Sequence, residues 1–88
     1  MTPPAVSFSY SDHAIKMLAE REIEREWVEC TILAPETTEP DPKHPERVLA
    51  FRSIPERDGR VLRVVYVPGA GTHRVVTLFF DRGRSRRR

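Results

Sequence analysis

The sequence predicts an α+β fold: two N-terminal helices packed on one face of an antiparallel meander sheet of three strands, or four. Three observations predict it. Residues 11 to 34 carry apolar side chains at helical spacing, and residues 47 to 80 read as strand runs separated by turn residues. Between them "PETTEPDPKHP" places Pro35, Pro40, Pro42 and Pro45 in a short stretch that no helix or central strand survives. With 88 residues the chain makes one domain. A domain of this size buries only about 60% of the surface its unfolded chain exposes.

The elements follow in order. Residues 1 to 9 include Pro3 and Pro4 and read as an N-terminal arm, with Val6 and Phe8 available to pack. The domain proper spans 10 to 81. Ser11 or Asp12 can cap a first helix by accepting from a free backbone N–H. Ala14, Ile15, Leu18 and Ala19 then share one arc, the expected buried face. Glu22 ends this helix or opens a short turn. A second helix covers "EREWVECTILA", with Ile23, Trp27, Val28, Thr31 and Ile32 on its inner face, and Pro35 closes it. Cys30 falls in that helix, where an inert buried thiol is expected, and a single cysteine excludes an internal disulfide. The proline segment is an extended connection.

In the strand half, "ERVLAFRSI" and "RVLRVVYV" flank "PERDG", whose Asp58-Gly59 pair is a hairpin signal. A two-residue turn there sets Ile54 opposite Arg63. It would put Leu49, Phe51, Leu62, Val64 and Tyr66 on the core face, with Ala50, Arg52, Ile54, Arg63 and Val65 on the other. The loop "PGAGT" leads to "HRVVTLFF". If that loop counts five residues, Arg63 faces Thr77 and the second sheet face carries Arg52, Arg63, His73 and Thr77. If it counts four, the third strand is flipped.

Composition narrows the function. Fifteen basic and thirteen acidic side chains leave a formal charge of +2, but five arginines crowd into residues 82 to 88. Such a run repels itself and reads as a basic tail suited to an anionic partner. The alternative is a solvated tail. No charged-then-apolar leader and no long apolar run is visible, so a cytoplasmic protein is expected, with no membrane association. His13, Cys30, His44 and His73 lack metal-ligand spacing, and "PGAG" lacks the Lys-Ser/Thr of a phosphate-cradling loop. No cofactor is therefore expected.

"SDHAIKMLAEREI", a second helix ending in "LAPE" and a following meander together resemble the small bacterial domain-of-unknown-function family 4258. Ser11, His13, Ala14, Leu18, Arg21, Ile23, Pro35 and Glu36 match its pattern, over a stretch from Phe8 to Phe80. Glu22 stands where the family commonly has glycine, and Met17 where a further basic residue is frequent. The family is akin to RelE-like toxins and barnase-like, metal-independent ribonucleases. The resemblance implies a RelE-like helix-and-sheet fold, RNA cleavage in a toxin–antitoxin setting, and an antitoxin protein as partner.

A metal-free ribonuclease needs a base for the ribose 2′-hydroxyl, positive donors on the phosphate and an acid for the leaving oxygen. Histidine suits the first and last roles, because it titrates near neutrality. His13, Met17 and Arg21 lie four residues apart in a stripe along the border of the first helix, and a guanidinium there can grip two phosphate oxygens. The plain alternative has His13 bonding a backbone carbonyl and Arg21 pairing with Glu20 or Glu24. A second constellation is Arg52, Arg63, His73 and Thr77 on the open sheet face, with Tyr66 or Phe79 for base stacking. Its alternative is a solvated face whose charges discourage edge association. The candidates are thus His13, Arg21 and His73 for catalysis, and Arg52, Arg63, Tyr66, Thr77, Arg84 and Arg86 for holding RNA. The rival function is a binding module without catalysis, for nucleic acid or for protein, including a homodimer formed through a bare strand edge.

Overall fold

The computed structural model describes residues 6–84, with the Arg84 side chain left out. Its order is β1 (Ser7–Tyr10), α1 (Asp12–Arg21), α2 (Arg25–Leu33), β2 (Thr37–Pro40), β3 (Val48–Ile54), β4 (Arg60–Val67) and β5 (Thr72–Phe80), with single 3-10 turns at Pro55–Arg57 and Arg82–Arg84. The α+β class holds, but the sheet has five strands in the order β1-β5-β4-β3-β2 and is mixed, not a three- or four-stranded meander.

Both added strands are at the edges. Residues 7 to 9 of the expected arm belong to β1, which pairs parallel with β5 from Ser7↔Thr72 to Tyr10↔Val75. "SFSY" alternates polar and apolar, and Phe8 and Tyr10 pack against the core. The partner strand lies at the other end of the chain, so no local turn signal announces this pairing. Within the proline segment, Thr37–Pro40 pairs antiparallel with β3 and is exposed throughout. An edge strand tolerates proline where a central one does not.

Ser11 starts α1. Its Oγ accepts from the Ala14 N–H at 3.0 Å, and its own N–H and Oγ donate to the carbonyls of Val75 at 3.0 Å and Val76 at 2.8 Å. The cap thus fastens the helix start to β5 and sets its rotation. The buried face is turned from the expected arc: Ala14, Met17 and Leu18 point to the core, while Ile15 is 45% exposed and Ala19 lies outside. Glu22 follows in the left-handed region at φ 54°, and the Ile23 N–H donates back to Leu18 at 2.9 Å. This is a Schellman-type end, built on glutamate where glycine is cheaper. On α2, Val28, Thr31 and Ile32 are buried as expected; Cys30 is exposed, which corrects the buried-thiol expectation.

The β3–β4 register corrects the two-residue turn. Ile54 pairs with Arg60 and Ala50 with Val64, so residues 55 to 59 form the connection. The cause is Pro55, which starts a 3-10 turn that Asp58 (φ 59°) and Gly59 (φ 76°) close. The shift is odd, so every β3 side chain changes face. Ala50 and Ile54 join Leu62, Val64, Tyr66, Val75 and Leu78 under the helices, while Leu49, Phe51 and Val65 form a small cluster on the opposite face. Fully buried Val28, Leu62, Val64, Val75 and Leu78 anchor the main core, each worth about 1.5–3 kcal/mol of burial.

The third strand carries both faces at once. Pro68–Gly71 connects β4 to β5, and Gly69 is required there because a Cβ would sit 2.3 Å from the Thr72 carbonyl oxygen. Near the loop Tyr66 pairs with Val75; beyond a β-bulge Val65 pairs with Thr77. The extra residue, Val76, puts His73 on the helix side with Val75 but leaves Thr77 and Phe79 with Arg63 on the other. Among the described residues no helix is long and apolar enough to cross a membrane.

Candidate functional site

α1 lies over β5, and β1 stops at Val75, so residues 76 to 80 have no strand partner on that side among the described residues. An open groove of about 1020 Å³ forms there, lined by His13, Met17, Arg21, Arg57, Arg60, Thr77, Phe79, Phe80 and Arg82. Four of these are arginines and none is acidic. The volume is at the upper end of ordinary ligand pockets, roughly 300–1,000 Å³.

The predicted stripe is one wall of this groove. His13 is exposed on the first turn of α1, Met17 packs inward, and Arg21 is exposed at the helix end. The plain alternatives for both fail. Glu20 pairs with Lys16 at 3.8 Å, and neither the His13 ring nor the Arg21 guanidinium has a hydrogen bond or ion pair to another described residue. Both are left to face the groove.

The opposite wall was not legible in the sequence. Arg57 and Arg60 come from the β3–β4 connection and the start of β4, and Arg82 from the turn after β5. Arg82 belonged to the basic run already noted. The arginines of "PERDGR" lie in and beside a hairpin connection with no local signal of a site, and tertiary packing carries them toward α1. Arg60 lies over the Phe80 ring, 4.7 Å from its centroid, and Arg57 reaches the same ring at 5.5 Å.

The remaining candidates are placed elsewhere, with the exception of Thr77, which lines the groove. Arg52 is on the helix side, donating from Nη1 to the Ala34 carbonyl at 2.7 Å and so satisfying the end of α2. This corrects its assignment to the open face. Arg63 does lie on that face, between Phe51 and Phe79 at 5.9 and 5.2 Å and 3.7 Å from Asp81, among apolar neighbours rather than in a basic patch. Tyr66 is 9% exposed in the core, where burial raises its phenol pKa; it is closed to base stacking, which corrects that expectation. His73 also departs from the open face. Its ring meets Phe8 and Tyr66 edge-on at 5.9 and 5.3 Å, and its Nδ1 accepts from the Gly69 N–H at 3.3 Å. It is not among the groove-lining residues, so His13 and His73 do not share the site. Arg84 sits in the last 3-10 turn, and Arg86 with the rest of the tail from residue 85 lies outside the described residues, as do residues 1 to 5 of the expected arm.

A family model described as "Domain of unknown function (DUF4258)" matches residues 10–80. The chain belongs to the DUF4258 family. No curated protein and no solved structure gives a match. Within the DUF4258 match, the positions that carried the resemblance now divide. Ser11 caps α1, Ala14, Leu18 and Ile23 fill the core, and Pro35 follows α2. Glu36 fastens β2 to β3, accepting at its two carboxylate oxygens from the Ser53 N–H at 3.1 Å and hydroxyl at 2.8 Å. Those six have intramolecular work. The His13 and Arg21 side chains do not, and both open onto the basic groove.

Proposed function

We propose that this DUF4258 chain is a toxin-like, metal-independent RNA endonuclease of the cytoplasm, working in a toxin–antitoxin pair, with a RelE-like arrangement of helices around its sheet. The observation that carries the reading is a single imidazole, His13, open to solvent in a groove otherwise furnished with guanidinium groups. In this reading His13 takes the proton from a ribose 2′-hydroxyl. The oxygen attacks the adjacent phosphorus, and the bond to the 5′-oxygen breaks to leave a 2′,3′-cyclic phosphate. The departing oxygen is protonated by the imidazolium or by water. Arginines stabilise the charge that builds on the non-bridging oxygens, the role a divalent cation plays in other nucleases.

The test is incubation of the purified protein with single-stranded RNA in EDTA. Removal of a general base costs roughly 10²–10⁴-fold in rate, so His13→Ala is expected to reduce cleavage by that factor. His13 is exposed, so the substitution should leave stability within about 0.5 kcal/mol. Equal cleavage by wild type and His13→Ala would remove the imidazole from the mechanism. A second reading, RNA binding without cleavage, is favoured by the absence of a second histidine from the groove lining. An inert protein that still binds RNA in a salt-dependent manner would establish it.

A further inference from the structure

We infer that Arg57 is a positioning residue, holding the two walls of the groove together and fixing the chain that carries Arg21, so that Arg21, Arg60 and Arg82 are the guanidiniums left to meet phosphate. The inference rests on the RNA-groove reading above and divides its four arginines by what each already holds.

Arg57 is heavily engaged. Its Nη2 donates to the carbonyls of Arg21 at 3.3 Å and Glu22 at 2.5 Å. Those groups end α1, where carbonyls lack helical donors and the helix carries partial negative charge. Glu22 is also where the backbone enters the left-handed region, so the paired bonds from Nη2 lock the turn. The same guanidinium lies 5.4 Å from the Trp27 ring centroid and 5.5 Å from that of Phe80. One side chain from the β3–β4 connection therefore touches the end of α1, a ring of α2 and a ring of β5. A planar guanidinium can give both N–H groups of one nitrogen to carbonyls while its flat faces lie against two rings; an ammonium can donate to the carbonyls but has no flat face for the rings. By contrast, the Arg21 and Arg82 side chains have no hydrogen bond or ion pair to another described residue, and Arg60 has only its ring contact.

Two measurements decide it. In the free, ¹⁵N-labelled protein, the Arg57 side-chain signals should show hindered rotation. Addition of a 2′-O-methyl, uncleavable single-stranded RNA should shift the Nε–H signals of Arg21, Arg60 and Arg82 and leave that of Arg57 in place. Arg57→Lys keeps the charge but loses the planar group between the two rings, so it should weaken binding of the same RNA by roughly tenfold or more with an unchanged salt slope. Wild-type affinity in Arg57→Lys, or an Arg57 signal that moves with the phosphate-binding group, would overturn the assignment. If Arg57→Lys does not fold, the wild-type spectra still decide. If the wild type binds no RNA, the RNA reading fails by itself, and rotation in the free protein judges Arg57: hindered supports its clamp role, free overturns it.

Discussion

Glu22 shows what a single residue can absorb. Its φ of 54° lies in the region where a Cβ is costly, and the Schellman-type bonds around it and the Arg57 Nη2 hydrogen bond hold it there. Glu22→Gly should therefore stabilise the domain by about 1 kcal/mol, the relief of left-handed strain less the extra freedom glycine gains when unfolded. Urea denaturation monitored by circular dichroism would read this as a higher midpoint at unchanged slope, and a lower midpoint would show that the side chain itself holds the turn. Tyr10 is a different kind of local adjustment. Burial first, and then its hydrogen bond to the Glu29 carboxylate at 3.0 Å, raise its phenol pKa well above the usual range, while Arg25 lies over its ring at 4.8 Å. The residue identities of both were plain in the sequence; the backbone angle and the partner were not, because each comes from another element.

Among elements, β5 decides most. Without an extra residue its period-2 alternation would send His73 and Thr77 to the same face, as the sequence reading supposed. The bulge at Val76 separates them, leaving His73 between Phe8 and Tyr66 while Thr77 and Phe79 reach the groove. Deleting Val76 should remove the bulge and leave Val75 opposite Tyr66 and Thr77 opposite Val65 in one regular ladder, with Val75 and Leu78 still on the core side. The loss expected is about 1 kcal/mol, that of the hydrogen bond the Val76 carbonyl accepts from the Ser11 hydroxyl. Thermal unfolding would measure it; a loss of about 3 kcal/mol or more, as for emptying a large core site, would mean the bulge itself holds the strand in register. The helices were more legible than the strands. Their start, stop and inner-face residues follow from local spacing, and only the rotation of α1 awaited its anchor on β5.

Over the whole molecule, a formal charge of +2 hides an uneven distribution. The groove gathers His13 and arginines from α1, the β3–β4 connection and the end of β5, with no carboxylate among the described residues that line it. Such a site attracts polyanions by counterion release. Each arginine–phosphate contact to a single strand contributes about 0.7 to the slope of log K against log salt, so Arg21, Arg60 and Arg82 together predict a slope of about 2. Fluorescence anisotropy of a labelled RNA across a salt series measures it, and the slope should fall by about 0.7 in Arg60→Gln. A slope near zero in the wild type would mean that the groove is not where RNA is held.

Taken alone, the sequence determined the α+β class, the two helices with Ser11 or Asp12 at the start of the first, the strand runs of the C-terminal half, and the His13–Arg21 stripe, all of which rest on neighbours within a few residues. Only the tertiary structure decided the edge strands, the face of Ala50, Arg52 and His73, and the company that His13 keeps. A turn longer by an odd number of residues, or a bulge of one, reverses a strand's faces without altering its composition. Arg57, Arg60 and Arg82 reach His13 through contacts between chain segments far apart in sequence, and no local pattern encodes that meeting.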